Sequence, residues 1–502
     1  MFMGIENEYT CFAVKRGTDV KNVYISVSSD LGELTAAKRE LFISFENDQR
    51  MFHEGPASGL VWLKNGGKLY NDCSTVEYAS PECISLEELV LAEKAGEFIV
   101  RRVCEPYREA NDLFLMKRSA AGRAPLWQQR STWGSHENYS VSRNLFSHIG
   151  WADRAESKIL VAYLASRLVY AGSGYLRCGE RERGPHFQVS PRIHLLDVTM
   201  GSGTRQSGRS LVNTKDEPHM SGNLRHQARL HLILGDMSRS DWSIYLKIGV
   251  TALVLAFLEC ANENELKSLV SRIAVDVPLS LATHASDVSS NEKHAAVFER
   301  CVDIQMIVRD EILKKRESVS QRFPEYDSVI EFWSGALCAA RQAVFGQEGA
   351  EYKFFSSRLD WLIKKNVFEA KAGEKLEAFP QLQNGDLVRQ LLSLDFSYHR
   401  VNTADFYRHL VEIGLADEMF PPEKTGLLVF NPPQGRAKTR VETVNYLRKQ
   451  GWLSYLLKFD FKEIVLEERL VVNGRNVTIP LDDTPIEELL SKIAAVIKSF
   501  RR

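Results

Sequence analysis

Polar and apolar residues alternate at the start of this chain. Between Gly4 and Tyr9, Ile5, Asn7 and Tyr9 interleave with Glu6 and Glu8. Successive strand side chains point to opposite faces, so this predicts a strand with both glutamates on one side. The same parity groups Lys68, Tyr70 and Asp72, after an Asn65-Gly66-Gly67 turn signal that reverses the chain from an apolar stretch at 60–63. Further strands are expected at 23–27, 113–116, 135–141 and 187–198. The 135–141 strand carries His136, Glu137, Asn138 and Tyr139 and implies a polar, ligand-facing surface. Residues 229–234 alternate strictly, with Leu230, Leu232 and Leu234 on a core side and Arg229, His231 and Ile233 opposite.

Helical spacing appears at 34–45, at 85–104 behind a Ser85/Glu88 capping box, and at 155–170, which Gly172 and Gly174 are expected to end. Residues 240–260 are apolar nearly all round, as in a central buried helix. From 263 to 420 the chain reads as mostly helical, with helices at 293–315, 328–345, 354–368 and 387–394. After Gly426 short strands (427–430, 457–461, 464–466, 469–479) mix with helices at 437–450 and 484–500. The predicted class is α+β, a polar-faced antiparallel sheet backed by helices. Two domains are expected, a catalytic one over 1–425 and a small C-terminal α/β domain over 426–502.

Composition narrows the class without naming it. The 44% hydrophobic and 26% charged fractions are those of a globular protein. With 64 basic against 65 acidic residues, no bulk attraction to nucleic acid or to an anionic membrane is expected. The opening MFMGIENEYT lacks a basic and apolar leader, and the apolar run 248–258 is too short to span a bilayer. The 8 cysteines form no CxxC pair, so a reduced, cytoplasmic setting is expected. Cys73, beside Asp72, reads as filler rather than a nucleophile, and the basic loop 117–130 as a solvated loop.

The chemistry concentrates in the first strands. Glu6, Glu8, Asp72 and Glu77, with Tyr70 among them, form an oxygen-rich bed of the kind that holds Mg²⁺ and nucleotide phosphates. A solvated sheet face is the plain alternative.

The motifs GIENEY, LKNGGKLYNDCSTVEYASPEC, GSHENY, VNTKDEPH, RLHLILGD and YLKIGVTALVLAFLE occur in this order, with LDWLIKKNVF, LDFSYH and NPPQGRAKTR further on. On these the chain resembles the Pup ligase and Pup deamidase/depupylase family, enzymes with a glutamine-synthetase-like catalytic domain. The resemblance implies a sheet that binds ATP and Mg²⁺ and a small C-terminal domain. It implies metal ligands at Glu6, Tyr70 and Glu77, with Glu8 on the same face, and a catalytic aspartate at Asp72. It further implies nucleotide- or metal-facing positions at His136 to Tyr139, Asn213, His219, Arg229 and His231, and a nucleotide contact from Arg436. The implied partners are a small Pup-like modifier, acted on at its C-terminal Glu or Gln, and lysine-bearing or pupylated proteins.

Direction stays open between the two branches. The opening GIE, the PPQ motif and the short segment before LKNGG resemble the ligases. The five-residue step from Asp72 to Glu77, GSHENY, the GSG of 172–174 and the FQVS of 187–190 resemble the depupylases. Because the spacing around Asp72 bears on the chemistry, the reading leans to isopeptide cleavage or deamidation, with ligation as the alternative. Arg118-Ser119 and Lys215 depart from the family pattern. A small-molecule carboxylate-amine ligase and a non-catalytic nucleotide-binding protein are the further alternatives.

Overall fold

The computed structural model describes residues 1–15, 25–26, 60–72, 75–108, 111–119, 132–177, 185–203, 208–215, 227–288, 292–382, 384–402, 405–452, 456–459, 463–467, 476–480 and 485–500. The expected helix at 34–45, most of the strand at 23–27, Cys73, residues 120–130 of the basic loop, 469–475 and His219 lie outside them. The chain forms two compact units, one over Met116–Asp216 and Arg225–Met419, the other over Phe2–Leu115 and Phe420–Arg502.

In the second unit, β1 (Met3–Lys15) pairs with β2 (Ile25–Ser26) near its end and opens the order β1, β5, β4, β3. Here β3 is Leu60–Trp62, β4 Lys68–Asp72 and β5 Thr75–Ala79, and both of their pairings are antiparallel. Ile5, Asn7 and Tyr9 are buried while Glu6 and Glu8 are half-buried, which is the alternation seen in the sequence. The turn between β3 and β4 is longer than a two-residue hairpin. Leu63 N donates to Gly67 O and Gly66 N to Leu63 O, and Gly66 takes φ +83°, a left-handed conformation natural to glycine.

Helix α1 (Leu86–Cys104) begins at Ser85, whose Oγ accepts the Glu88 amide at 3.2 Å. Only half of the expected capping box forms. The Glu88 carboxylate instead accepts the Gln434 amide at 3.0 Å. Helix α1 packs on β1 and β5, and β6 (Asn111–Met116) adds to β1.

The first unit carries β7 (Ser135–Ser142), β8 (Tyr175–Arg177), β9 (His186–Gln188), β10 (Val198–Gly201), β11 (Ser210–Asn213) and β12 (Gln227–Leu232). The order is β10, β11, β12, β7, antiparallel except for the parallel β10–β11 pair. The stretch 187–198 is not one strand: a 3₁₀ turn at Ile193–Leu195 separates β9 from β10, and Pro191 between them cannot donate to a ladder. The expected helix 155–170 is also interrupted, as Ala155–Ser166 and Leu168–Ala171.

Helix α2 (Asp241–Cys260) is buried along 18 of its 20 residues, as its all-round apolar pattern predicts. By length and composition it would reach across a bilayer, farther than the 248–258 run alone. Nevertheless 89% of its most apolar window is inside the protein, as for a core helix. The helical stretch beyond it splits 354–368 in two, because Ala350–Phe355 ends before α3 (Asp360–Ala372) begins behind its N-cap Leu359. Helix α4 is Gly385–Tyr398.

A half-buried histidine whose Nε2 is shut from solvent gives stability a pH dependence in this unit. Burial, then Arg177, His186 and His284, hold His194 down at about 3 against an ordinary 6.5. The unfolded chain therefore binds a proton below about pH 6.5 that the folded chain refuses. This contribution is fully present above 6.5 and falls by about 1.4 kcal/mol per unit below it. Urea unfolding at pH 7 and pH 5 is expected to show this loss, and His194→Gln is expected to shrink it. An equal loss in the variant would assign the effect elsewhere.

The C-terminal part belongs to the second unit. Residues 427–430, expected as a strand, lie in helix α5 (Pro422–Phe430), which starts with proline at its first position and packs on α1. Then come α6 (Arg436–Lys449), the antiparallel sheet β13 (Leu456–Phe459), β14 (Glu463–Glu467), β15 (Asn476–Pro480), and α7 (Ile486–Phe500). Val444, Leu447, Leu466, Ile493 and Ile497 form a core there together with Trp62.

Candidate active site

Register decides which carboxylates meet. In the second unit Glu8 of β1 lies opposite Glu77 of β5, and Glu77 opposite Tyr70 of β4, so the three form one lateral row across the sheet. Glu6 stands two residues along β1 and Asp72 two along β4, both on the same face by strand parity. Glu8, Asp72 and Glu77 each bring a carboxylate oxygen within 4.8 Å of the others. Tyr70 Oη donates to Glu77 Oε1 at 2.6 Å.

Such a row is electrostatically uncomfortable alone. Burial, then Glu6 and Glu8, push the Glu77 carboxyl well above the usual range, with Asp72 adding to them against the Tyr70 hydrogen bond. A bound divalent cation relieves this repulsion, and an all-oxygen donor set suits a hard ion such as Mg²⁺. The residues present therefore fit the metal. Asp72 is the exposed member, at the end of its strand, where Thr75 Oγ1 donates to its backbone oxygen at 2.5 Å.

The first unit assembles a different face. Asn213 of β11 lies opposite His231 of β12, and His231 opposite Asn138 of β7. Arg229 and His136 extend this row along their strands. Arg229 Nε donates to Asn138 Oδ1 at 2.5 Å, and the His136 and His231 rings meet edge to face at 5.4 Å. Five of the residues expected to face nucleotide or metal thus share one sheet surface. Asn213 is buried and its Oδ1 accepts the Lys215 amide at 2.9 Å, so its side chain also shapes the turn that follows.

Two corrections concern β7 and its neighbour. Glu137 and Tyr139 do not face a ligand. They lie on the core side, where Arg167 Nη1 and Tyr139 Oη both donate to Glu137 Oε2, at 2.9 and 2.8 Å. The segment expected as a solvated basic loop begins deep in the protein. Arg118 Nη2 donates to Asp395 at 2.9 Å, and Ser119 Oγ accepts the Met237 amide at 2.7 Å. Lys364 Nζ also reaches Asp395, at 2.8 Å, and the His399 Nε2 atom at 2.6 Å, while His399 Nδ1 donates to Lys117 O at 2.7 Å. Burial, then Lys364 and Arg118, hold His399 well below its ordinary range, so it stays neutral.

Arg436 opens α6 with its guanidinium 4.3 Å from the Phe2 ring centre. Arg440, four residues on in the same NPPQGRAKTR motif, is a functional residue that the sequence pattern does not single out. It is fully buried, bonded to both Glu82 oxygens and at 3.0 Å to Gly66 O. Its signal is the motif itself, which holds more than one arginine.

A family model described as Pup-ligase protein matches residues 1–460. The Pup–protein ligase of Acidimicrobium ferrooxidans is 29% identical over 419 residues, covering 80% of this chain and 78% of its own. That of Nocardia farcinica is 27% identical over 416 residues, covering 78% and 82%. Among solved structures, the complex between the prokaryotic ubiquitin-like protein Pup and its ligase PafA superposes with a TM-score of 0.68 at 21% identity, over 98% of this chain and 92% of that one. PafA in complex with ADP gives 0.65 at 21% identity, over 96% and 97%. The expected fold is the one observed, and the chain belongs to the Pup-ligase protein family and is an enzyme of that type.

Proposed function

We propose that this protein is an ATP-dependent ligase joining the C-terminal glutamate of a Pup-like modifier to a lysine of a target protein. The carrying observation is the single row of Glu8, Glu77 and Tyr70 with Asp72 on the same face, in a chain that the Pup-ligase family model matches nearly throughout. The lean to cleavage rested on the Asp72–Glu77 spacing. Relatives alignable over about four-fifths of the chain carry the name Pup–protein ligase, which favours ligation.

Glu6, Glu8 and Glu77 would hold Mg²⁺, with Tyr70 fixing Glu77, and the ion when bound neutralises phosphate charge. On the first unit's sheet, Arg229, His136 and His231 present a cationic and imidazole-bearing face of the kind that binds phosphate, and in the second unit Arg436 offers a cation. A carboxylate is a poor electrophile, so the modifier's γ-carboxylate oxygen attacks the γ-phosphorus of ATP. This gives a γ-glutamyl phosphate and ADP. Asp72 takes a proton from the incoming lysine ammonium, the freed amine attacks the acyl carbon, and phosphate leaves as the isopeptide forms. The exposed position of Asp72 suits a base that must meet a macromolecular substrate.

The test is a mass measurement after incubation with Mg-ATP, a lysine-bearing acceptor and a Pup-like peptide ending in Glu or in Gln. Ligation predicts an acceptor heavier by the Glu-ending modifier less one water, with ADP released. Loss of ammonia from the Gln form, or release of modifier from a conjugate, without any conjugation would reinstate cleavage. No mass change with either peptide would overturn both.

A further inference from the structure

We infer that Asn7, Tyr78 and Glu93 are positioning residues, a buried polar layer on the reverse side of the sheet that fixes the spacing of the carboxylates on its ligand side. The inference rests on the metal-binding reading above and deepens it. Asn7 sits between Glu6 and Glu8 in β1, and Tyr78 follows Glu77 in β5. The two are direct cross-strand partners. By parity both point away from the carboxylate row, toward α1.

There they meet consecutive residues of that helix. Asn7 Nδ2 donates to Glu93 Oε1 at 2.6 Å, and Tyr78 Oη donates to Ala92 O at 2.8 Å. Asn65, in the turn before β4, donates to Tyr78 Oη at 3.0 Å. Strands β1 and β5 are thereby tied directly to one helical turn, and the turn before β4 is tied to it through Tyr78. Exposure is 0% for Asn7, Asn65 and Tyr78 and 1% for Glu93, so none of these bonds is shared with solvent. The fit is close. A Cβ at Gly96, one turn beyond Ala92, would lie 2.3 Å from the Tyr78 ring, so the tyrosine reaches the helix only because that position is glycine.

Stability alone does not explain such a layer. A buried carboxylate is unfavourable against a well-packed apolar pair of the same size. What it supplies is direction: a hydrogen bond fixes distance and register where apolar contacts slide. The need is local. Glu8 and Glu77 are like charges directly opposite one another, an arrangement that drives strands apart. The Glu-Asn-Glu run also interrupts the apolar alternation that would otherwise hold the register. Outer partners of metal ligands act in this way, and losing them weakens metal affinity about 10- to 100-fold.

The test uses the full chain with Asn7→Leu/Glu93→Leu, which removes the bond but keeps an apolar fill, and with Tyr78→Phe, which removes one hydroxyl. Glu93→Gln, which keeps an oxygen acceptor for Asn7, is the conservative rescue. Three quantities are read: melting temperature, Mn²⁺ affinity of the nucleotide-free protein by electron paramagnetic resonance, and kcat and KM for ATP. The double variant is expected to melt near the parent, to bind Mn²⁺ about 10- to 100-fold more weakly, and to lose kcat with KM for ATP unchanged. Glu93→Gln is expected to stay near the parent. If the double variant is folded and binds Mn²⁺ within twofold of the parent, the inference fails; if it does not fold, Tyr78→Phe is judged by the same twofold limit. A parent that binds no Mn²⁺ overturns the functional proposal and this inference with it. A parent that binds beside unchanged variants overturns the inference alone.

Discussion

Replacing Asp72 by asparagine is expected to slow conjugate formation by about 10²- to 10⁴-fold, the range for loss of a general base, while ATP still binds. The amide has the same shape but does not accept the proton that the substrate lysine must lose. Asp72 occupies the exposed end of β4, two residues beyond Tyr70 and on the face of Glu77. Because its carboxylate also lies within reach of Glu8 and Glu77, the measurement pairs single-turnover rates with a Mg²⁺ titration. A rate loss that disappears at saturating Mg²⁺ would make Asp72 a metal ligand. A variant that keeps more than about a tenth of the parent rate would remove it from proton transfer.

Arg440→Met is expected to destabilise the protein by about 3–5 kcal/mol, as breaking a buried ion pair does. The guanidinium is fully buried, forks onto both Glu82 oxygens and donates to Gly66 O in the turn that launches β4. Removing it leaves the Glu82 carboxylate without this partner and the turn without its donor. Arg440→Lys should fall between, since an ammonium lacks the planar fork. Arg440→Met/Glu82→Leu should recover most of the loss. Urea unfolding of the three variants checks this. A loss below about 1 kcal/mol in the single variant would mean that the pair contributes no more than a surface bridge.

Much of this site was legible in the sequence because strands announce their faces. The alternation of β1 and β12 placed Glu6 and Glu8, and Arg229 and His231, on common sides before any register was known. The partners across the sheet were not legible, since pairing Glu8 with Glu77 is a matter of register. Short apolar runs misled where periodicity alone cannot choose between strand and helix: LLVF at 427–430 lies in α5, and the preceding Pro421-Pro422 was the better guide. Arg118 was unreadable for another reason. Its partner Asp395 lies 277 residues away, and nothing local distinguishes a solvated arginine from one with a distant buried carboxylate. Tyr139 and Glu137 looked ligand-facing because they are polar, yet Arg167 makes the core side of β7 polar as well.

Strand β1 has polar work on both of its sides at residues 6 to 8, with carboxylates outward and an amide inward. Most strands leave one face free to drift, so their sequences can vary without consequence on alternate positions. This one does not. Variation that retunes such an enzyme to a different modifier or target has to enter through the loops and the ends of neighbouring strands, and the short run Glu6-Asn7-Glu8 is expected to be among the least tolerant of change under selection for activity.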